Sequence, residues 1–506
     1  MKTKFFAASL ILGTLVLDAT VQAGENDWFV PLGAPPQAAP RRISGGEGVP
    51  PLPLPATPLR RSERKREPAA PKMIAKVTWG ESADFKYDNG MATQVSDWNQ
   101  VPADLQQIVK KASGALGTPY STDTMSLSSF HGDPIRTPVL FLSGSRTIKF
   151  DKKQLEMLHD YVIRGGMIIA DSVAGSPYFY NSMKKAMEEA FQEFSFREIP
   201  TDHPIYHMVT DADVVKYGRN NDSTKPDLQG MYVFSRVGVL LSKYGLGCGW
   251  DDHEVPMLKQ AVYYDVPSAN KIGVNLISYA VGYANVARES AKPELFGALD
   301  EKRPTDEFVF AQIKHEGAWN VHSGGAASLL RRLRQNSAAR VSLKRVPVMP
   351  GKDDLASFSF LYLSGLDDFH LDSAAVSAIR SHLNRGGTLL VNNGLGMKTF
   401  DTAVRRELKK ILPESELAVL QPSHPLYSTV FKIGEVQYTP AVAKLKPGLK
   451  APYLEGVSIG GDLRVIYSPF DLEAGWTGLD HPLAKGYEAD SSMQLGMNIV
   501  VYAMTH

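Results

Sequence analysis

"DYVIRGGMIIADSVAG" fills residues 160–175, and "SHLNRGGTLLVNNGLG" fills residues 381–396. Each reads as a helix end, a two-glycine stop, an apolar run the length of one buried strand, and a polar turn. Arg164 suits the negative end of the helix, and the glycine pair suits a left-handed stop. Outward from this phrase the matches continue. Trp98-Asn99 pairs with Trp319-Asn320, Leu142-Ser143-Gly144 with Leu363-Ser364-Gly365, and His203-Pro204 with His424-Pro425, every pair 221 positions apart. After a short length change the offset becomes 226, with Gly249-Trp250 against Gly475-Trp476. A repeat of about 200 residues is a domain rather than a solenoid unit, so the chain is a tandem duplication.

Within each copy the pattern is that of a βαβ unit. "PVLFLSG" (138–144) is a short apolar strand, and Asp151 with Gln154 forms a capping box for the helix that follows. Leu155, Leu158 and Val162 make one apolar stripe, repeated as Val376, Ile379 and Leu383. "MIIA" and "TLLV" are then strands buried on both faces. Two such strands joined by a helix run parallel, which predicts an α/β fold with a doubly wound, mainly parallel sheet in each copy.

The 506 residues carry a formal net charge of +1, which provides no field for collecting nucleic acid or an anionic membrane. "MKTK" followed by "FFAASLILGTLVL" and Val21-Gln22-Ala23 predicts a signal peptide over 1–23, hence a periplasmic or secreted protein with no transmembrane segment after cleavage. Residues 24–72, rich in proline, are expected to be a disordered linker, with the basic run "PLRRSERKREP" (58–68) a solvated part of it. The first domain is then 73–287, a charged linker 288–306, and the second domain 307–506. Cys248 is the single cysteine, so no internal disulfide can form.

Ligands of parallel sheets collect beyond the carboxyl ends of the strands. That rule selects Ser143, Gly144, Asp171, Ser172 and Gly175 in the first copy, and Ser364, Gly365, Asn392, Asn393 and Gly396 in the second. These turns either line a polar site or bond their own backbone. Because Asp171 becomes Asn392, a carboxylate that served as base in the first copy would be lost in the second. His203 and His207 lie four apart, but the second copy keeps His424 and has Ser428, so no metal site is assigned and no cofactor is expected. His-Pro instead starts a turn, with the imidazole holding a backbone group.

"GLGCGWDDHE" (245–254) offers Cys248 as a nucleophile with His253 as its base, while the second copy has Ala474 and an Asp480-His481 pair. The competing reading is a small buried thiol. Trp98-Asn99 and Trp319-Asn320 set an aromatic ring beside an amide, a combination that can stack on a sugar and bind its hydroxyls. Trp250, His424 and Trp476 complete the candidate binding set.

Taken together, "DYVIRGGMIIADS", "TDHP" and "GLGCGW" in the first copy, with "YLSG", "HLNRGGTLLVNN", "SHP" and "SPFDLEAGW" in the second, resemble the bacterial family catalogued as domain of unknown function 4159. The resemblance implies two tandem flavodoxin-like domains related to class I glutamine amidotransferases, and it implies no activity. The amidotransferase nucleophile elbow and its His-x-Glu partner are recognisable in neither copy, so catalysis does not carry over with the fold. The expected role is an exported, non-catalytic binding or scaffolding protein whose partner is a cell-envelope glycan or another envelope protein. The alternative is a hydrolase or amidase confined to the first domain, with candidates Asp171, Ser172, His203, Cys248 and His253.

Overall fold

The computed structural model describes residues 23–32, 71–252, 258–304 and 306–506. Residues 1–22 of the expected signal peptide, 33–70 of the expected linker, and His253 lie outside these residues.

The repeated phrase folds as its sequence dictates. Asp151 Oδ1 accepts from Gln154 N and Gln154 Oε1 accepts from Asp151 N, closing the capping box of helix Lys152–Ile163. Arg164 ends that helix and donates to the carbonyl of Gly132. Gly165 and Gly386 take φ of 114° and 92°, the left-handed region in which a Cβ is costly. The second glycine serves a different purpose. A Cβ on Gly166 would lie 2.2 Å from the Tyr161 ring, and one on Gly387 would lie 2.2 Å from the His382 ring. Both rings come from the last turn of the preceding helix and fold back over the glycine backbone. Strands Met167–Ser172 and Thr388–Asn393 follow, buried throughout.

Each copy builds a seven-stranded sheet of the same topology. In the first the order is Tyr120–Ser126, Lys72–Thr78, Val139–Gly144, Met167–Ser172, Arg236–Ser242, Leu228–Val233, Phe196–Glu198. The first five are parallel, and counted along the chain they stand in the flavodoxin-like order 2-1-3-4-5. Two antiparallel strands finish the edge. The second sheet repeats this with Val346–Val348, Ala311–Ile313, Phe360–Gly365, Thr388–Asn393, Asp462–Ser468, Glu455–Ile459 and Ala418–Val419. A hairpin of Ser82–Lys86 and Ala92–Ser96, inserted after the first strand, belongs to the first copy.

Helices cover both faces of each sheet, as alternating strand burial requires. Ala75, Leu140 and Ile168 face one side in the first domain while Ile74, Phe141 and Ile169 face the other. The second of these cores does not stop at the domain boundary. It runs through Tyr279, Tyr283 and Val286 into Leu395, Met397, Phe400 and Ala484 of the second domain, so the two copies share buried apolar surface.

Two boundaries differ from expectation. The segment 24–32, assigned to the linker, packs on the first domain with Trp28 and Leu32 only 4 % and 3 % exposed. Helix Ala284–Ser290 crosses the expected end of the first domain, and Glu294 beyond it docks on the second. In both places a few aromatic or charged side chains find partners that only the fold brings near.

Candidate functional site

In a 2-1-3-4-5 sheet the order reverses between strands 1 and 3, and the crevice at their carboxyl ends is the natural ligand seat. The two copies use this crevice differently.

In the first copy it is filled by the chain itself. The carbonyl of Trp28 accepts hydrogen bonds from Gln100 Nε2 (2.7 Å) and Ser145 Oγ (2.9 Å), and Glu25 Oε1 accepts from Thr147 N (2.7 Å). The Arg146 guanidinium stacks on Phe29 at 4.1 Å. The Trp28 ring lies in an apolar cluster with Val101, Val173, Ala174 and Cys248.

Beneath this segment lies a buried polar group. Lys76 Nζ stands 2.7 and 2.9 Å from the carboxylate oxygens of Asp104 and 3.0 Å from both Asn99 Oδ1 and the Val101 carbonyl. Asp171 accepts from the amides of Leu246 and Gly247, capping the short helix Gly247–Trp250 that carries Cys248. Burial pushes the Asp171 carboxyl up to about 7, against the pull of those two amides. Burial also pushes the Cys248 thiol well above its usual range, and the neighbouring Asp171 adds to the effect. A reactive cysteine requires the opposite shift and solvent access. Cys248 is 1 % exposed, enclosed in the apolar cluster that also holds Trp28, Val101, Val173 and Ala174. Ser172 Oγ is buried without a hydrogen bond, and Ser143 Oγ donates to the Trp98 carbonyl. Gly144 is glycine because a Cβ there would strike Trp79 at 2.2 Å.

His203 does not join this group. Its Nδ1 accepts from Ile205 N at the start of the turn Pro204–Tyr206, and its ring packs against Tyr232 and Tyr279. Burial pulls its pKa down to about 3, so it stays neutral. His424 repeats the arrangement with Leu426 N. His207 is bound to Asp211 and the Thr201 carbonyl, not to His203. Among the described residues no three His, Cys, Asp or Glu side chains gather as metal ligands. Trp250 and Trp476 were candidate ligand contacts, but both are core residues. Their indole N–H groups donate to the carbonyls of Ala269 and Ser492.

In the second copy the charges have moved. Gln312 stands where the first copy has Lys76, and Arg345, 1 % exposed, supplies the cation. It binds Glu294 through Nε and Nη2, Asn320 Oδ1 through Nη2 at 2.5 Å and Gln312 Oε1 through Nη1. Asn99 and Asn320 therefore do the same job, each spending its amide oxygen on a buried cation. The substitution of Asn392 for Asp171 does not remove the carboxylate, as expected from sequence, but relocates it. Asp471, aligned with Gly245, binds Asn392 Nδ2, Leu395 N and His322 Nε2. Asn393 donates to the Met397 carbonyl instead of facing a ligand. Burial pulls the His322 ring down but Asp471 more than restores it, leaving it above its ordinary value. Asp471 itself is pushed up by burial and drawn down further by His322 and its hydrogen bonds, to about 2.

A reciprocal exchange accompanies this. Asp104 aligns with Gly325, and Gly247 aligns with Glu473. A Cβ on Gly247 would meet Asp104 Oδ2 at 3.1 Å, and a Cβ on Gly325 would meet Glu473 Cγ at 2.6 Å. Asp104, beside Asp171, borders this space in the first domain, and Glu473 reaches it from the opposite side in the second.

The crevice of the second copy faces the first domain. Asp202 accepts from Lys398 N at the start of helix Lys398–Ile411, and Tyr283 OH donates to the Pro482 carbonyl. Beside these contacts a cleft of about 340 Å³ remains, lined by Trp319, Asn320 and Glu316 from one domain and Arg197, Tyr232 and Glu193 from the other. Trp319 and Asn320 are half-buried, and Asn320 Nδ2 makes no hydrogen bond among the described residues. Trp98 and Asn99, their counterparts, lie beside the filled crevice of the first copy.

The family model described as "Domain of unknown function (DUF4159)" matches residues 83–281 and again 309–504. The chain belongs to this family. Its two DUF4159 copies are the two sheets above, with the first strand of the first copy lying before the matched region. The search of curated proteins gave no match. Among solved structures the chain is similar to a crystal structure described as a putative phosphosugar isomerase from Silicibacter pomeroyi. The identity is 9%, covering 63% of this chain and 75% of that one, with a TM-score of 0.15. So low a score carries no argument. Nothing in these comparisons bears on the implied kinship of DUF4159 with glutamine amidotransferases.

The residues that sequence reasoning missed are Lys76, Asp104, Arg345, Asp471 and Glu473. A lysine inside "MIAKVTW" was the one local signal, since a strand buried on both faces tolerates a cation only beside a partner.

Proposed function

We propose that this DUF4159 protein is an exported, non-catalytic binding protein of the cell envelope, with its ligand seat in the interdomain cleft and a glycan as the ligand class. The observation that carries the reading is the meeting of Trp319 and Asn320 with Arg197 and Tyr232 in one open cleft. An indole face suits the C–H face of a sugar ring, and the guanidinium, the carboxylates of Glu193 and Glu316 and the free Asn320 amide N–H suit its hydroxyls. The cleft volume lies at the lower end of the range for small-molecule sites, about 300–1,000 Å³. Against the hydrolase alternative stand the covered thiol of Cys248 and the commitment of Asp171 to two backbone amides. Export rests on the pattern of residues 1–23.

Calorimetric titration with peptidoglycan fragments and neutral oligosaccharides tests the reading. Saturable binding is expected, weakened about tenfold or more by Trp319→Ala, a loss of roughly 1.4 kcal/mol, and unchanged by Trp98→Ala. No binding at millimolar ligand, or binding indifferent to Trp319→Ala, would refute it.

A further inference from the structure

The filled crevice of the first copy shares no lining residue with the interdomain cleft. Segment 24–32 meets it with buried apolar side chains, a doubly held carbonyl, a carboxylate cap and a cation–ring contact. An aromatic anchor, Trp28, is buried to 4 % exposure, and Leu32 to 3 %. The Trp28 carbonyl is held by two side-chain donors, Gln100 Nε2 and Ser145 Oγ. Glu25 caps the amide of Thr147, and Phe29 lies under the Arg146 guanidinium. The receptor side is rigid, because Arg146 is itself fixed by Asp97 at 2.6 Å and Ser176 Oγ ties to the Ser145 carbonyl.

The connection back to the domain is longer than this docking needs. The segment sits at the carboxyl end of the sheet, and the chain must return to Lys72 at the amino end of a seven-residue strand. That distance is about 23 Å, which about seven extended residues span. Residues 33–70 provide 38. Fully extended they would reach about 130 Å, well beyond one domain.

We propose that the carboxyl end of the first sheet is a peptide-binding slot whose ligand is the chain's own segment 24–32, and that the slot takes this segment from a second copy as well as from its own chain. In an isolated chain the tether gives the resident segment the advantage of an effective concentration in the millimolar range. Where copies are crowded, exchange of segments links them.

The test uses the full chain carrying Trp28→Ala, which vacates the slot, and a fluorescent peptide of residues 24–32, Gly-Glu-Asn-Asp-Trp-Phe-Val-Pro-Leu. Fluorescence anisotropy should show saturable binding to this variant and at least tenfold weaker binding to the wild-type chain, whose slot is occupied. The peptide with Trp28→Ala should bind about 30-fold more weakly, as the loss of a buried anchor implies. A variant with native circular dichroism that takes up no peptide, or that binds both peptides alike, overturns the proposal. So does equal binding to variant and wild type. Should Trp28→Ala prevent folding, a protease site placed within 33–70 serves instead. After cutting, labelled peptide should displace the resident segment, and its failure to enter the folded, cut protein has the same overturning force.

Discussion

Replacing Lys76 by methionine keeps the length of the side chain and deletes its charge. The Lys76 and Asp104 side chains are 4 % and 0 % exposed and 2.7 Å apart, so solvent does little to screen either. Removing one partner of a buried pair costs about 3–5 kcal/mol, because the other is left charged and alone. A domain has about 5–15 kcal/mol of stability in all, so the loss should be plain in urea unfolding followed by tryptophan fluorescence. Its pH dependence is a sharper mark. Burial already holds the Asp104 carboxyl above its usual range although Lys76 pulls it down. Without Lys76 it rises further. A carboxyl raised on folding contributes stability that is complete below its unfolded pKa, about 3.9, and is lost as pH climbs through the folded value. Lys76→Met should therefore cost more at pH 8 than at pH 5. Adding Asp104→Asn removes the stranded charge and should restore all but about 1 kcal/mol of lost hydrogen bonding. A loss under about 1 kcal/mol at pH 8, or a double variant no better than the single, would show that the pair is not a structural brace.

Three further outcomes follow from the same geometry. Cys248 should resist a thiol reagent in the native protein at neutral pH and react at once in guanidinium. Rapid native reaction would contradict its burial in the Trp28 cluster. The second domain should lose stability as pH falls below about 4, where Asp471 becomes protonated on unfolding and the buried His315 and His481, held at about 4 and 3, are neutral only in the folded state. Asp471, lowered to about 2, loses its contribution as pH falls below the unfolded carboxylate range. The raised His322 and Glu473 act in the opposite sense: the Glu473 contribution is lost as pH climbs from its unfolded range to about 7, and that of His322 as pH climbs above its ordinary range. Unfolding midpoints across pH check this, and a flat profile for the second transition would refute it. Gly166→Ala and Gly387→Ala should each destabilise by about 1–3 kcal/mol through collision with the ring above. Gly114→Ala, in an open part of helix Asp104–Leu116, should instead stabilise by about 0.5–1 kcal/mol in thermal melts.

The fold was legible because its signals are local or repeated. The helix cap at Asp151, the glycine pair and the apolar strands each act within a few residues, and duplication writes them twice, the cap again at Asp372. The His-Pro turn was legible for the same reason: His203 bonds an amide two residues away. The polar interior was not. Arg345 meets Glu294 across 51 positions and Asp471 meets His322 across 149, distances over which pattern says nothing. Comparing the copies position by position also misled, since Asn392 in place of Asp171 reads as a lost charge until Asp471 is seen beside it. Trp28 was hidden by its setting, a lone aromatic pair ahead of a proline-rich stretch.

The opposed placement of Asp104 against Gly247, and of Glu473 against Gly325, bears on how the duplicated gene can evolve. Recombination between repeats tends to homogenise them. A hybrid beginning as the first repeat and ending as the second would drive two acids into one buried space, and the converse hybrid would leave two glycines facing a void. Either crossover product is penalised at folding, so the repeats, once diverged in this way, are bound to remain distinct and to specialise separately.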